Sequence, residues 1–456
     1  MHPFHYHVFV CEQKKPEGAP CCSARGSAAV LEGFRREVSA RNLADKVAVT
    51  ACGSLGLCES GPNVVVYPEG VWYSHVSPAD VPEIVTEHFQ RGRAVERLMR
   101  RDEAQLKAEI SENRARMLAA LAARDAAGVV PDDLSEMIRG FMPSRVLLTA
   151  LELDAFTAIA RSPAPVTASS VAGTLGIDGR ATETLLNALV ALGLLGKRDG
   201  AYANSPVAER FLVAEARDDA RAALQHNTSL WRTWSTLTEV LRSGRCVGHE
   251  EMGNRGDSWT TPFIAAMHRN ASLRAPAVVK AVGAHGVRRL LDVGGGSGAY
   301  AIAFARADPT LQADVFDLAT VVGIADRHIT EAGLSGRVRT RVGDLRRDSF
   351  GSGYDLGLLS AICHMLGPDE NRDLLRRVFA ALAPGGRVVI QDHLMSDDKT
   401  TPRAGALFAV NMLVGTPSGS TYSATEYERW LREAGFAGPR QLPLPPPNGL
   451  LIATRP

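Results

Sequence analysis

Apolar and polar positions along the chain alternate in three different ways, and each way predicts a different kind of unit. Over residues 5–91, residues 5–10 and 47–51 read as strands, with an amphipathic helix over 28–42 between them. Residues 63–67 and 71–76 form a hairpin around Pro68-Glu69-Gly70, and a helix over 79–91 ends at Gly92. Residues 93–130 are dense in Arg, Glu and Ala without a strong apolar face, which predicts an exposed helical linker. From 134 to 221 the period is helical, with helices expected over 147–159, 169–175 and 181–195 and a tight hairpin over 197–202. Beyond residue 288, strands alternate with helices, as in a parallel sheet. The expected organisation is therefore 1–95, a linker 96–132, a winged-helix region 133–225 and an α/β region 226–456.

The α/β region opens on LLDVGGGSG at residues 290–298, a strand running into a glycine loop and then an Ala-rich helix. The next strand ends in Asp317, and an acid there is set to grip ribose hydroxyls. Gly294-x-Gly296-x-x-Ala299 also fits a dinucleotide fingerprint, so the loop alone does not choose its ligand. Asp292 chooses: a carboxylate just before the loop repels a pyrophosphate but suits the ammonium of a methionine moiety. Gly343-Asp344-Leu345 after a third strand and Pro384-Gly385-Gly386 before the strand 387–391 add landmarks. On these residues the region resembles the class I S-adenosylmethionine-dependent methyltransferases. The resemblance implies Asp292, Gly294 and Gly296 at the methionine end, Asp317 on the ribose, Asp344 at the adenine edge and Ser360 against the adenosine.

The winged-helix outline invites a DNA-binding reading, but helix 181–195 holds no Lys or Arg to meet phosphates or guanine edges. Its apolar surface calls for packing or dimerisation instead. A formal charge of +1 likewise argues against bulk capture of nucleic acid or anionic membrane. No apolar run reaches the roughly 18–20 residues of a membrane span, and no signal peptide precedes the first strand, so a cytoplasmic protein is expected.

Aromatic and apolar residues Trp231, Trp234, Trp259, Phe263 and Met267 precede the glycine loop and read mainly as helix–helix core. Together with the winged-helix outline, they make residues 134–456 similar to the small-molecule O-methyltransferases. That resemblance implies a homodimer and a small-molecule methyl acceptor. It also makes His364, just past the fourth strand (355–359), the general base, and Asn411 and Met412 substrate-facing. An imidazole with an ordinary pKa of about 6.5 suits deprotonation of a phenol or enol near neutrality. Met365 stands where the family often has Asp, and Thr421 where it often has the Glu that orients the base; Asp392 is the other candidate for that task.

Five of seven cysteines lie in the first 58 residues, a clustering that points to metal or redox chemistry in a large cytosolic protein. Cys11, Cys22, Cys52 and Cys58 can supply four thiolates to a [2Fe–2S] cluster or to Zn²⁺, although no CxxC knuckle of the zinc-ribbon kind is present. Residues 5–99 resemble the thioredoxin-like [2Fe–2S] ferredoxins through VFVC (8–11), LGLCESGP (55–62) and VVYPEGVWY (65–73). In that pattern the third ligand falls at Ser54, while Cys52 lies two residues earlier and Cys21 stands beside Cys22. The chain is thus expected to be an α/β enzyme with a Rossmann-like methyltransferase domain, a winged-helix dimerisation domain and a thioredoxin-like ferredoxin domain. It would transfer a methyl group to oxygen, with an electron-transfer partner for the cluster. Electron-requiring chemistry without methyl transfer and redox-responsive DNA binding are the rival readings.

Overall fold

The computed structural model describes residues 3–14, 21–126, 132–248, 256–444 and 448–456, and the chain divides into two units, Met1–Gly140 and Phe141–Pro456. The expected linker residues 127–131 lie outside the described residues.

The first unit runs β1 (Tyr6–Cys11), α1 (Ser27–Ala40), β2 (Val47–Cys52), β3 (Val64–Tyr67), β4 (Val71–Tyr73) and α2 (Val81–Ile84), which continues as a wide turn over Val85–Gln90. Strand order is β2-β1-β3-β4, with β1 parallel to β2 and antiparallel to β3. A parallel pair needs a crossover, and α1 supplies it. Tyr6, Val8 and Val10 alternate inward along β1 onto Phe34, Val66, Tyr73 and Ile84. Helices α3 (Glu103–Ala126) and α4 (Asp132–Arg139) follow. The start of α3 does more than separate domains. Leu106 is buried, a Cβ on Gly56 would lie 3.0 Å from Ile110, and Asn113 Nδ2 donates to the Gly56 carbonyl at 2.7 Å.

The second unit opens with α5 (Phe141–Glu152), α6 (Ala155–Arg161), α7 (Ala168–Leu175), α8 (Gly179–Ala191), the hairpin β5 (Leu195–Arg198) and β6 (Ala201–Asn204), and α9 (Pro206–Phe211). The single helix expected over 147–159 is two, because Asp154 adopts φ +54° and breaks the register. Its carboxylate accepts from Thr157 and Arg221 at 2.6 and 2.9 Å. Helix α8 also stops short of residue 195: Gly193 turns left-handed at φ +73°, and Leu195 starts the strand. Leu186 and Leu189 of α8 join the core of this region.

Three covering helices, α10 (Arg221–Trp234), α11 (Leu237–Ser243) and α12 (Asp257–Val282), lead into the α/β region. There follow β7 (Arg289–Val293), α13 (Ala299–Ala307), β8 (Gln312–Asp317), α14 (Ala319–Glu331), β9 (Val338–Val342), β10 (Tyr354–Ser360), α15 (Pro368–Ala381) and β11 (Leu382–Asp392). The chain ends through β12 (Leu394–Met395), α16 (Arg403–Gly415), β13 (Tyr422–Ser423), α17 (Ala424–Glu433), β14 (Ala437–Leu442) and β15 (Gly449–Thr454). The main sheet has the order β14-β15-β11-β10-β7-β8-β9, and β15 runs antiparallel to β11. Neighbouring strand residues go to opposite layers: Leu290, Val315, Leu358 and Val389 to one, Leu291, Phe316, Leu359 and Ile390 to the other. Strand order reverses between β7 and β10, and such switch points open a crevice at the strands' carboxyl ends. Among the described residues no helix is long and apolar enough to cross a membrane.

One close approach tests this packing. A Cβ on Gly343 would sit 2.2 Å from Cζ of the buried Phe316, whereas Gly336 has nothing within 4 Å. Gly343→Ala is expected to destabilise the second unit by about 1–3 kcal/mol, read as a lowered urea midpoint. Gly336→Ala should leave the midpoint where it is.

Candidate active site

Strand β7 delivers the glycine loop to the crevice. Gly294 turns at φ +64°, and a Cβ there would lie 2.3 Å from Ile362 Cδ1, so only glycine lets the chain pass. The loop is pinned from β8: Gly294 N donates to the Phe316 carbonyl at 2.8 Å and Gly296 N to Asp317 Oδ2 at 2.7 Å. Asp317 Oδ1 accepts from Leu318 N at 2.7 Å; burial still raises its carboxyl against the relief from these amides. Asp292 lies beneath the loop, 1% exposed, and neither carboxylate oxygen has a hydrogen-bonded partner. Burial outweighs the relief from the nearby Ala301 amide and, with the Asp317 charge, pushes its pKa up to about 7. The backbone brings Asp344 to the same end, since Gly343 N donates to the Asp317 carbonyl at 2.9 Å. Asp344 itself accepts from Arg346 N at 2.8 Å.

The other side of the crevice is built by β10 and β11. Ser360 Oγ donates to Gln391 Oε1 at 2.6 Å, and the Tyr300 hydroxyl donates to the same oxygen at 3.0 Å. Past Ser360 the chain takes φ +55° at Ala361, then a short turn over Cys363–Met365. That turn sets His364 against the carboxylate that ends β11. Nδ1 of His364 lies 2.7 Å from Asp392 Oδ1, and its backbone N–H donates to Oδ2 at 3.1 Å. His393 N donates to Oδ1 at 2.7 Å. Burial opposes the charge on Asp392, but His364 and these hydrogen bonds outweigh it and hold the carboxyl below its ordinary value. An ionised carboxylate only accepts, so Nδ1 carries a proton, and in the neutral imidazole the lone pair is on Nε2.

Asp392, and not Thr421, meets the imidazole of His364, while the neighbouring Ser420 N–H donates to the His364 carbonyl at 2.9 Å. Thr421 is buried, and its hydroxyl donates to the Gly405 carbonyl at 3.4 Å. Sequence reasoning missed Asn371, whose Nδ2 donates to the carbonyls of Cys363, Leu366 and Gly367 at 2.9, 3.1 and 3.2 Å and so clamps the turn carrying His364. It missed Gln391 and Tyr300 as well. A polar residue inside an otherwise apolar strand was the available signal for Gln391.

Phe408 of α16 meets the His364 ring edge-to-face at 4.8 Å and stacks on His393 at 4.3 Å. Asn411 accepts from Trp234 Nε1 at 2.8 Å, and Met412 is buried. Trp231, Trp234, Trp259, Phe263 and Met267 were expected mainly as core, yet all remain partly exposed, with Trp259 and Phe263 stacked at 4.7 Å. Half-covered aromatic rings suit the wall of a pocket for a flat apolar molecule.

In the first unit, Cys11, Cys22 and Cys58 are buried and Cys52 is half-buried. Cys22 shares a hydrogen bond with Cys11, which with burial raises its thiol pKa. Cys52 faces Cys11 in the β1–β2 register, and burial with the Cys11 charge pushes it up to about 11. Ser54 Oγ lies 3.7 Å from Cys58 Sγ. Cys21 is buried, with its sulfur accepting from Ala24 N at 3.4 Å. Among the described residues, no three His, Cys, Asp or Glu side chains converge on one ion position.

Comparison with known proteins accounts for the second unit. An O-methyltransferase domain matches residues 234–437, and an O-methyltransferase dimerisation domain matches residues 135–214. A 3-hydroxy-5-methyl-1-naphthoate 3-O-methyltransferase of Streptomyces sahachiroi is 36% identical over 71% of this chain and 95% of its own. The tetracenomycin polyketide synthesis 8-O-methyl transferase TcmO of Streptomyces glaucescens is 32% identical over 72% and 97%. Among solved structures, PigF with SAH aligns at TM-score 0.67 and 26% identity, covering 72% of this chain and 100% of that one. Human N-acetylserotonin methyltransferase in complex with SAM aligns at TM-score 0.63 and 26% identity, over 71% and 96%. The dimerisation domain supports a homodimer. The chain belongs to the O-methyltransferase family, and it is an S-adenosylmethionine-dependent O-methyltransferase.

Proposed function

We propose that this enzyme methylates a hydroxyl oxygen on a small aromatic molecule, with His364 as general base and Asp392 as the residue that orients it. The 2.7 Å bond between His364 Nδ1 and a buried, ionised Asp392 carries this reading, because it leaves Nε2 as the proton acceptor. The half-exposed aromatic helices support a flat acceptor, and relatives named for a naphthoate and a polyketide agree in class.

The residues at the carboxyl ends of β7 and β8 fit S-adenosylmethionine. Asp292 is a buried carboxylate without a partner, and the cofactor's methionine end brings the cation it lacks. Gly294 and Gly296 shape the loop, Asp317 keeps unused lone pairs that would meet ribose hydroxyls, and Asp344 and Ser360 are the residues that would hold the adenosine. When bound, the cofactor supplies a methyl group on a positively charged sulfur. His364 takes the acceptor's hydroxyl proton on Nε2 as the oxygen gains the methyl. Asp392 holds the imidazolium that results, and Phe408 packs against the ring at 4.8 Å.

For the first unit we propose a thioredoxin-like fold holding a [2Fe–2S] cluster on Cys11, Cys22, Cys52 and Cys58. Sheet order β2-β1-β3-β4 supports the fold. Cys11 hydrogen-bonds with Cys22 and lies opposite Cys52 in the strand register, and the Asn63 amide links the Cys22 sulfur to Leu57, the residue before Cys58. A two-iron cluster takes four such thiolates, two at each iron. Such a cluster carries one electron. Methyl transfer consumes none, so an electron held there, and any partner that delivers it, serves a step other than the transfer.

His364→Ala should lower kcat about 10²–10⁴-fold while S-adenosylhomocysteine binds as before, measured by turnover and calorimetry. One S-adenosylhomocysteine per methylated product is expected; turnover with the donor unconsumed would sink the methyl-transfer reading of this site. Cofactor binding should also depend on Asp292. A cation favours its ionised form, so binding lowers a pKa that starts at about 7 and releases a proton. Affinity for S-adenosylhomocysteine should therefore rise between pH 6 and 8. Calorimetry in buffers of different ionisation enthalpy should detect the released proton, and Asp292→Asn should abolish both effects. A flat affinity across that range in the wild type would rule the assignment out.

A further inference from the structure

Asn63 is fully buried, yet both ends of its side-chain amide are engaged. Nδ2 donates to the Leu57 carbonyl at 2.6 Å and to Cys22 Sγ at 3.4 Å, and Oδ1 accepts from Ser74 Oγ at 2.8 Å. A carbonyl can only accept, so Leu57 fixes which end of the amide is nitrogen. An N–H is thereby aimed at the Cys22 sulfur. Ser54 does the same for Cys58. Its Oγ accepts from Gly56 N at 3.2 Å and lies 3.7 Å from Cys58 Sγ; a ligating thiolate can only accept, so in the loaded protein the hydroxyl would donate to that sulfur. A hydroxyl is also a far weaker acid than a thiol, whose ordinary pKa is about 8.5, and iron in such clusters takes thiolates. Cys52, opposite Cys11 in the strand register, offers the thiol.

Resting on the cluster reading above, we infer that Cys52 completes the ligand set. Ser54 and Asn63 are then hydrogen-bond donors to the ligating sulfurs, and they raise the cluster's reduction potential. Each added electron increases negative charge on the sulfurs, so an O–H or N–H aimed at them stabilises the reduced state more than the oxidised one. The neighbouring Gly61 fits the same crowding: a Cβ there would lie 2.7 Å from Cys22 Sγ.

The test uses the full chain, reconstituted anaerobically with ferrous iron and sulfide, and reads iron content, visible absorption, paramagnetic resonance of the reduced sample and midpoint potential. Wild-type protein that takes up no two-iron cluster overturns the cluster reading, and this inference with it. If the wild type loads, Ser54→Ala should load equally but titrate at a more negative potential. Ser54→Thr, which keeps the hydroxyl, should restore the wild-type potential, and Cys52→Ala should lose iron. Loss of the cluster in Ser54→Ala with retention in Cys52→Ala overturns the inference while sparing the cluster, as does an unchanged potential in a fully loaded Ser54→Ala. Methyl-transfer activity of each variant reports that the second unit is folded.

Discussion

Asp392 carries a charge where almost no water reaches it, and much of the second unit is arranged to make that tolerable. An isolated buried carboxylate would protonate rather than stay ionised. Here three N–H groups converge on it, from His364 Nδ1 and from the backbones of His364 and His393. Those donors are available only because β10 and β11 end side by side in register, with Ser360 opposite Gln391, and the chain then folds back over the strand ends. Asn371 on α15 holds three carbonyls of that fold-back, and Tyr422 donates to the Leu366 carbonyl from another direction. Removing one partner of such a buried pair typically costs about 3–5 kcal/mol. The turn that carries His364 is therefore tied to the stability of the sheet end itself.

The parts of this site that were legible in the sequence are those in which local backbone demands and ligand chemistry coincide. Gly294 and Gly296 turn left-handed and also open the loop, and Asp317 both pins that loop and ends a strand, so their spacing announces them. His364 was legible by its position past a strand end. Its partner was harder: Asp392 lies 28 residues away, and only the pairing of β10 with β11 brings the two together. Thr421 drew attention because a family pattern places a carboxylate there, but its hydroxyl is spent on the Gly405 carbonyl. Asn371 sits in a helix of ordinary amphipathic pattern, and nothing local distinguishes it from a solvated residue.

Helix limits failed where a single residue overrode the period. Asp154 adopts a left-handed conformation and splits an apolar stretch that the 3.6-residue pattern carries straight through. Its carboxylate, accepting from Arg221 and Thr157, links the break to the start of α10, a reason invisible at a distance of 67 residues. In the first unit the expected linker proved to begin as a support for the cysteine loop, since Ile110 and Asn113 meet Gly56. Charge density along α3 concealed those few inward residues.

Asp292 and Asp392 stand at the ends of two strands of one sheet, equally buried, and their opposite treatment divides the labour of the site. Asp392 has three donors of its own and is held ionised before any ligand arrives, so the base proposed at His364 would be oriented in advance. Asp292 has no hydrogen-bonded donor, only the nearby Ala301 amide, and burial pushes its pKa up to about 7. A group left so far from its charged state gains most from a cation and little from a neutral or anionic ligand. On the assignment proposed above, the unsatisfied carboxylate would be a selective element, favouring a ligand with a positively charged end and repelling a pyrophosphate. The glycine loop would then admit many nucleotides, and the acid beneath it prefer one kind.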